Sequence, residues 1–118
     1  ELVHFCPSLS RKGLGILKGS VARFTATPRL KVPHMGWNQL ILRGRGCPLF
    51  RRIPDQASVY FCHSYYARPA DTRCVAAETD YGRPFASVVW KENVYAMQFH
   101  PEKSQSTGLA MIENFVKL

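Results

Sequence analysis

Phe85-Ala-Ser-Val-Val-Trp-Lys-Glu-Asn-Val-Tyr-Ala-Met-Gln-Phe-His-Pro-Glu102 holds two short apolar runs and ends on an imidazole and a carboxylate. Residues 85–90 and 94–99 are rich in β-branched and aromatic types, and Lys91-Glu-Asn93 between them predicts a hairpin with a three-residue connection. The second strand delivers His100, with Glu102 two positions on. In an extended chain, residues i and i+2 point to the same face, so Glu102 can hold and polarise His100. A general base that serves a nucleophile requires that pairing.

Upstream of the hairpin the chain is also strand-rich. Ser58 to Tyr66 reads as one strong strand, and Arg73 to Thr79 as another. Leu14 to Phe24 is a strand entered from Gly13 and Gly15, with a Lys18-Gly19 turn near its start. Proline and glycine in Lys31–Leu42 limit that segment to a short strand or structured loop that presents Trp37 at a turn. Downstream the period changes. Leu109, Ile112, Phe115 and Val116 share one helical face, which predicts a terminal amphipathic helix packed by that face on the sheet and capped by Ser104 or Ser106. One helix is little cover for so many apolar strands. The fold class is therefore α/β, the later portion of a domain whose earlier strands and helices are missing, and a start on Glu1 rather than methionine fits that expectation.

Bulk properties exclude several classes. No apolar run approaches the ~20 residues of a membrane helix, and no secretory signal opens the chain. The net charge of +8 is concentrated in residues 1–54, where ten Lys/Arg face the single acid Glu1. No nucleic-acid motif frames those scattered cations, so a solvated surface is the reading, and nucleic acid is an unlikely partner. The densest cluster, Arg43 to Arg52, is a loop by its glycines and proline. The four cysteines, Cys6, Cys47, Cys62 and Cys74, show neither a C-x-x-C pair nor zinc-like spacing with histidine. Reduced thiols in a cytoplasmic protein follow, with no metal and no cofactor. Cys62 is expected to be a buried strand thiol, and Cys74 to begin a strand. His34 and His63 have no carboxylate nearby in sequence, and packing or backbone hydrogen bonding is expected of both.

Four segments in order carry a resemblance: Lys31-Val-Pro-His-Met-Gly-Trp-Asn38, Val59-Tyr-Phe-Cys-His-Ser-Tyr-Tyr66, Gln98-Phe-His-Pro-Glu-Lys-Ser104 and Gly108-Leu-Ala-Met-Ile-Glu-Asn-Phe115. Together they resemble the glutaminase subunits of imidazole glycerol phosphate synthases, class I (triad) glutamine amidotransferases of histidine biosynthesis. The likeness covers residues 13–118, residues 1–12 match poorly, and the whole chain reads as one partial amidotransferase domain. The resemblance implies a mixed sheet with flanking helices. It also implies glutamine hydrolysis by a Cys-His-Glu triad, with ammonia passed to a (β/α)8-barrel cyclase partner in a heterodimer. It makes His100 the general base and acid and Glu102 its orienting carboxylate. Ser64 and Tyr65 match the segment that holds glutamine. Trp37, Asn38, Tyr60 and Lys103 match positions at the cyclase interface.

The family's nucleophile sits in a Gly-x-Cys-x-Gly elbow, and this sequence has none. Cys6 and Cys47 are each followed by proline, which lacks the N–H that stabilises the oxyanion. The chain alone is thus expected to be inactive, with a non-catalytic cyclase-binding module as the alternative and a nucleic-acid binder behind it. Absent strands would also leave apolar faces exposed, so poor solubility is expected of the isolated chain.

Overall fold

The computed structural model describes residues 13–43 and 46–118. The poorly matching start at 1–12, Cys6 within it, and the centre of the arginine loop at 44–45 lie outside the described residues. Eight strands and a helix follow in chain order: β1 (Gly19–Arg23), β2 (His34–Gln39), β3 (Ile41–Leu42), β4 (Ser58–His63), β5 (Tyr65–Pro69), β6 (Val75–Asp80), β7 (Pro84–Lys91), β8 (Val94–Met97) and α1 (Gln105–Val116). The fold is α/β, as expected. Every strand pairing among the described residues is antiparallel.

Six strands form the larger sheet, in the order β1-β5-β7-β6-β3, with β8 also on β7. The remaining two, β2 and β4, form a separate ribbon. The stretch expected to be one strand over Ser58–Tyr66 is therefore two. It breaks at Ser64, and its halves belong to different sheets, since β4 pairs β2 while β5 pairs β1 and β7. The Ser64 carbonyl turns aside to accept from Phe24 N–H at 3.0 Å. The β7–β8 hairpin is present, but its connection is the two residues Glu92-Asn93, because Lys91 and Val94 already pair. Glu92 sits at φ +55°, and the Trp90 indole N–H donates to its carbonyl at 2.7 Å, which closes the tighter turn.

The core joins both sheets to the helix. Val59 and Phe61 of β4, Tyr66 of β5, Phe85 and Val88 of β7, and Met111 of α1 are all buried together with Leu40, Leu49 and Phe99. Of the aromatic residues expected to alternate along 60–66, Phe61 and Tyr66 are buried, and Tyr60 and Tyr65 are half-buried.

The helix corrects a second expectation. Its buried residues are Gly108 and Met111, whereas Leu109 is 64% and Phe115 54% exposed, and Ile112 and Val116 are exposed as well. Gly108 explains the rotation. A Cβ there would lie 1.8 Å from the Pro101 carbonyl oxygen, so the helix meets the preceding turn backbone to backbone on its glycine face. The aliphatic stripe is consequently turned outward, with Phe115 edge-on to Tyr95 at 6.0 Å. Asn114 on the inner side fastens α1 to the 48–53 segment, donating to the Leu49 and Arg51 carbonyls at 2.9 and 2.7 Å.

Candidate active site

The site grows from the end of β8. The strand stops at Met97, and Gln98 to His100 carry the chain into a 3-10 turn at Pro101–Lys103. Pro101 opens the turn, where its fixed φ is suited and its missing N–H costs nothing. The turn, not strand alternation, brings Glu102 back to His100: Nδ1 of the imidazole and Oε1 of the carboxylate are 3.0 Å apart. An ionised carboxylate only accepts, so Nδ1 carries the proton and Nε2 is left as the basic nitrogen. Glu102 is held below the usual carboxylate range by a hydrogen bond from its own backbone N–H and by its bond to His100. Both side chains are partly exposed.

Ser104 locks this turn to the fold. It is 1% exposed, and although it precedes α1 its hydroxyl does not cap the helix. The hydroxyl instead donates to the His100 carbonyl at 2.7 Å and accepts from the Tyr60 N–H at 3.0 Å. The His100 N–H in turn donates to the Tyr60 carbonyl at 3.0 Å. Tyr60 thus serves the site with its backbone, a role its aromatic side chain does not reveal in the sequence. Ser104→Ala strands the buried Tyr60 N–H, and a loss of about 2 kcal/mol in unfolding free energy is expected by denaturant titration.

The other sequence candidates fall around β4. Ser64 and Tyr65 form the break where the chain changes sheets. Trp37 lies opposite Tyr60 in the ribbon, with its ring edge-on at 6.0 Å and half its surface exposed. Lys103 is exposed beside His100. Asn38 is tied inward: its amide donates to the Asp80 carbonyl at 2.9 Å and to His34 Nε2 at 3.2 Å.

His34 and His63 were expected to make packing or backbone contacts, and they also meet each other. The antiparallel register of β2 and β4 sets them opposite one another, with His34 Nδ1 2.8 Å from His63 Nε2. His63 Nδ1 is 2.7 Å from the Tyr65 carbonyl. Sequence reasoning treated the two singly because only strand pairing joins residues 29 apart. His34, 2% exposed, has its pKa lowered to about 4 by burial and, secondly, by His63. Burial also lowers His63, and nearby His100 adds a smaller push the same way. The groups packed around the pair are otherwise Phe24, Phe61, Phe85 and Tyr81, with Tyr81 stacked on His34 at 3.9 Å.

Both histidines are less readily protonated folded than unfolded, so the unfolded chain binds more protons below pH 6.5. The stability that rests on keeping them neutral is complete above that value and declines as pH falls below it, for His34 down to about 4. For His34 the shift corresponds to about 3 kcal/mol. Thermal unfolding followed from pH 7 to pH 4 should show that decline, and His34→Asn should flatten it.

Cys47 is buried and its pKa is raised by desolvation, and burial also raises Cys74. Cys74 lies in a 3-10 turn before β6 rather than opening that strand, and its thiol donates to the Asp71 carbonyl at 3.0 Å. Cys62, expected to be buried, is exposed, because strand alternation turns Phe61 inward and Cys62 to the other face. Among the described residues no group of three His, Cys, Asp or Glu side chains could hold a metal ion. None of the described helices is long and apolar enough to cross a membrane.

The site is thus a histidine–carboxylate pair on a pinned turn after an antiparallel hairpin, within an α/β fold. Residues 13–118 match the class I glutamine amidotransferase family, and the chain belongs to it. Within that class it is similar to the imidazole glycerol phosphate synthase subunit HisH of Syntrophotalea carbinolica, with 50% identity over 109 residues, 88% of this chain and 52% of the relative. The HisH subunit of Methanocaldococcus jannaschii is 51% identical over 107 residues, 91% of this chain and 53% of that protein. The HisH subunit of Aromatoleum aromaticum is 50% identical over 111 residues. The chain spans about half the length of these curated relatives.

Proposed function

We infer that this chain is the base-bearing part of the glutaminase subunit of an imidazole glycerol phosphate synthase, working in the cytoplasm for histidine biosynthesis. The observation that carries the reading is the His100–Glu102 pair, seated on β4 through Ser104 and Tyr60. His100 Nε2 takes the proton of a cysteine thiol, and Glu102 stabilises the imidazolium that forms. The thiolate attacks the side-chain carbonyl carbon of glutamine, held at Ser64 and Tyr65. As the tetrahedral adduct collapses, the C–N bond breaks, and His100 returns its proton to the departing nitrogen, which leaves as ammonia. Water, deprotonated by His100, then attacks the thioester, and glutamate and the free thiol are released. Ammonia passes to a (β/α)8-barrel cyclase subunit docked on Trp37, Asn38, Tyr60 and Lys103.

The thiol in this scheme comes from a Gly-x-Cys-x-Gly elbow outside the present sequence. Cys47 and Cys74, with raised pKa values, Cys6, followed by Pro7, and Cys62, exposed in mid-strand opposite Met35 with no turn to present it, are unsuited to replace it. By itself the chain is therefore inactive. These same thiols favour a second reading, a non-catalytic module that keeps the cyclase-facing surface. Glutamine hydrolysis should be measured with the cyclase subunit present, for this chain and for the chain joined to an upstream segment bearing the elbow. Activity only in the joined form is the expected result. No activity in either form would leave the non-catalytic module.

A further inference from the structure

The pair of buried His34 and half-buried His63 has no part in the proton transfers above, yet its hydrogen bonds run in one direction. The Tyr65 carbonyl can only accept, so His63 carries its proton on Nδ1. Neutral His63 then has Nε2 free to accept, and its partner at 2.8 Å, His34 Nδ1, must be the donor. That leaves His34 Nε2 as the acceptor for the Asn38 amide at 3.2 Å. Asn38 is oriented in turn by the Asp80 carbonyl, to which its amide donates, and by the Gln39 N–H, which donates to its Oδ1. Any other tautomer of either ring sets two protons or two lone pairs against each other in a buried place.

We propose that His34 and His63 are positioning residues, locked in their Nδ1–H tautomers, which carry the seating of Asn38 through to the Tyr65 carbonyl. They thereby hold the Ser64–Tyr65 break in the shape that receives the substrate amide. At Ser64 the chain leaves one sheet for the other, and each backbone group there meets a different element: the Ser64 carbonyl accepts from the Phe24 N–H, Tyr65 is in register with Arg23 of β1, and the Tyr65 carbonyl meets His63 Nδ1. The Tyr65 carbonyl is fixed by a side chain two residues away, and that side chain by one 29 residues away. Asn38 stands at the far end of this chain of bonds. A partner that contacts Asn38 therefore touches a group three hydrogen bonds from the glutamine segment. The last step rests on reading Ser64–Tyr65 as that segment.

Two measurements test the proposal separately. Nitrogen-15 NMR of histidine-labelled chain at pH 7 reads tautomers directly, with each ring assigned by its loss in His34→Asn and His63→Asn. Both rings should show a protonated Nδ1 and an unprotonated Nε2. An Nε2–H form, an imidazolium or rapid tautomer exchange in either ring overturns the lock. The second measurement is glutaminase kinetics of the joined chain with the cyclase. His34→Ala should raise KM for glutamine about tenfold with kcat within about threefold. His34→Asn keeps a donor where Nδ1 stood and should recover most of the loss. His34→Gln, which reaches toward Asn38 instead, should not. Equal losses in KM for Asn and Ala, or a loss confined to kcat, overturn the positioning role. A wild-type joined chain without glutaminase activity overturns the glutamine step and the proposed function with it, whereas the tautomer result is read independently.

Discussion

His100→Ala, made in the chain joined to its elbow and assembled with the cyclase, should lower glutamine hydrolysis by about 10⁴–10⁶-fold in kcat. Without the imidazole, the attacking thiol keeps its proton and the leaving nitrogen has no acid, so both halves of the reaction lose the same group. The fold should survive the change. The side chain is partly exposed, and what pins the turn is the His100 backbone, whose N–H and carbonyl bond to Tyr60 and Ser104. Circular dichroism and thermal unfolding should therefore be nearly unchanged. Glu102→Gln should cost less, about 10²-fold, because an amide oxygen can still accept from Nδ1 and the site is open to water, leaving chiefly the lost charge opposite the imidazolium. A steady-state assay in which His100→Ala retains a tenth of the activity would remove this residue from the proton transfers.

The geometry behind that expectation was only partly legible in the sequence. The apolar runs 85–90 and 94–99 revealed a hairpin, since a period of two needs no knowledge of the rest of the fold. The break at Ser64 was hidden by the unbroken run of β-branched and aromatic residues: Val59 and Phe61 are buried at odd positions and Tyr66 at an even one, a change of phase, and only tertiary pairing decides that β4 and β5 enter different sheets. His100 and Glu102 were paired correctly for a reason that does not operate here, as a 3-10 turn rather than extended chain joins them. The His34–His63 contact rests on strand register and could not be seen from local spacing. On α1, four large apolar side chains outweighed one glycine in the pattern, although close approach of backbones is decided by the smallest residue present, not the largest.

Gly108 carries the second large effect. In an exposed helix position, glycine to alanine would stabilise by about 1 kcal/mol through helix propensity. Here the new Cβ would stand 1.8 Å from the Pro101 oxygen, 2.7 Å from its carbonyl carbon and 2.9 Å from Ser104 Cβ. Two of the three contacts are backbone, so no rotamer change relieves them. The proline ring fixes one side of the turn, and the two Ser104 hydrogen bonds fix the other. Either α1 lifts from the turn, which uncovers Met111, or the turn shifts and takes His100 and Glu102 with it. Overpacking of this kind outweighs the propensity gain, and a net loss of about 3 kcal/mol is expected, a fall in Tm of roughly 12 °C for a chain of this length. Ser106→Ala, on the exposed side of the same helix, supplies the comparison and should leave Tm within about 2 °C. Because the clash falls on the turn that bears the base, Gly108→Ala should also lower kcat in the assembled enzyme at temperatures where it remains folded, while Ser106→Ala should not. A Gly108→Ala protein as stable as the parent would mean that helix and turn are not in backbone contact, and the seating of His100 on β4 would then need another explanation.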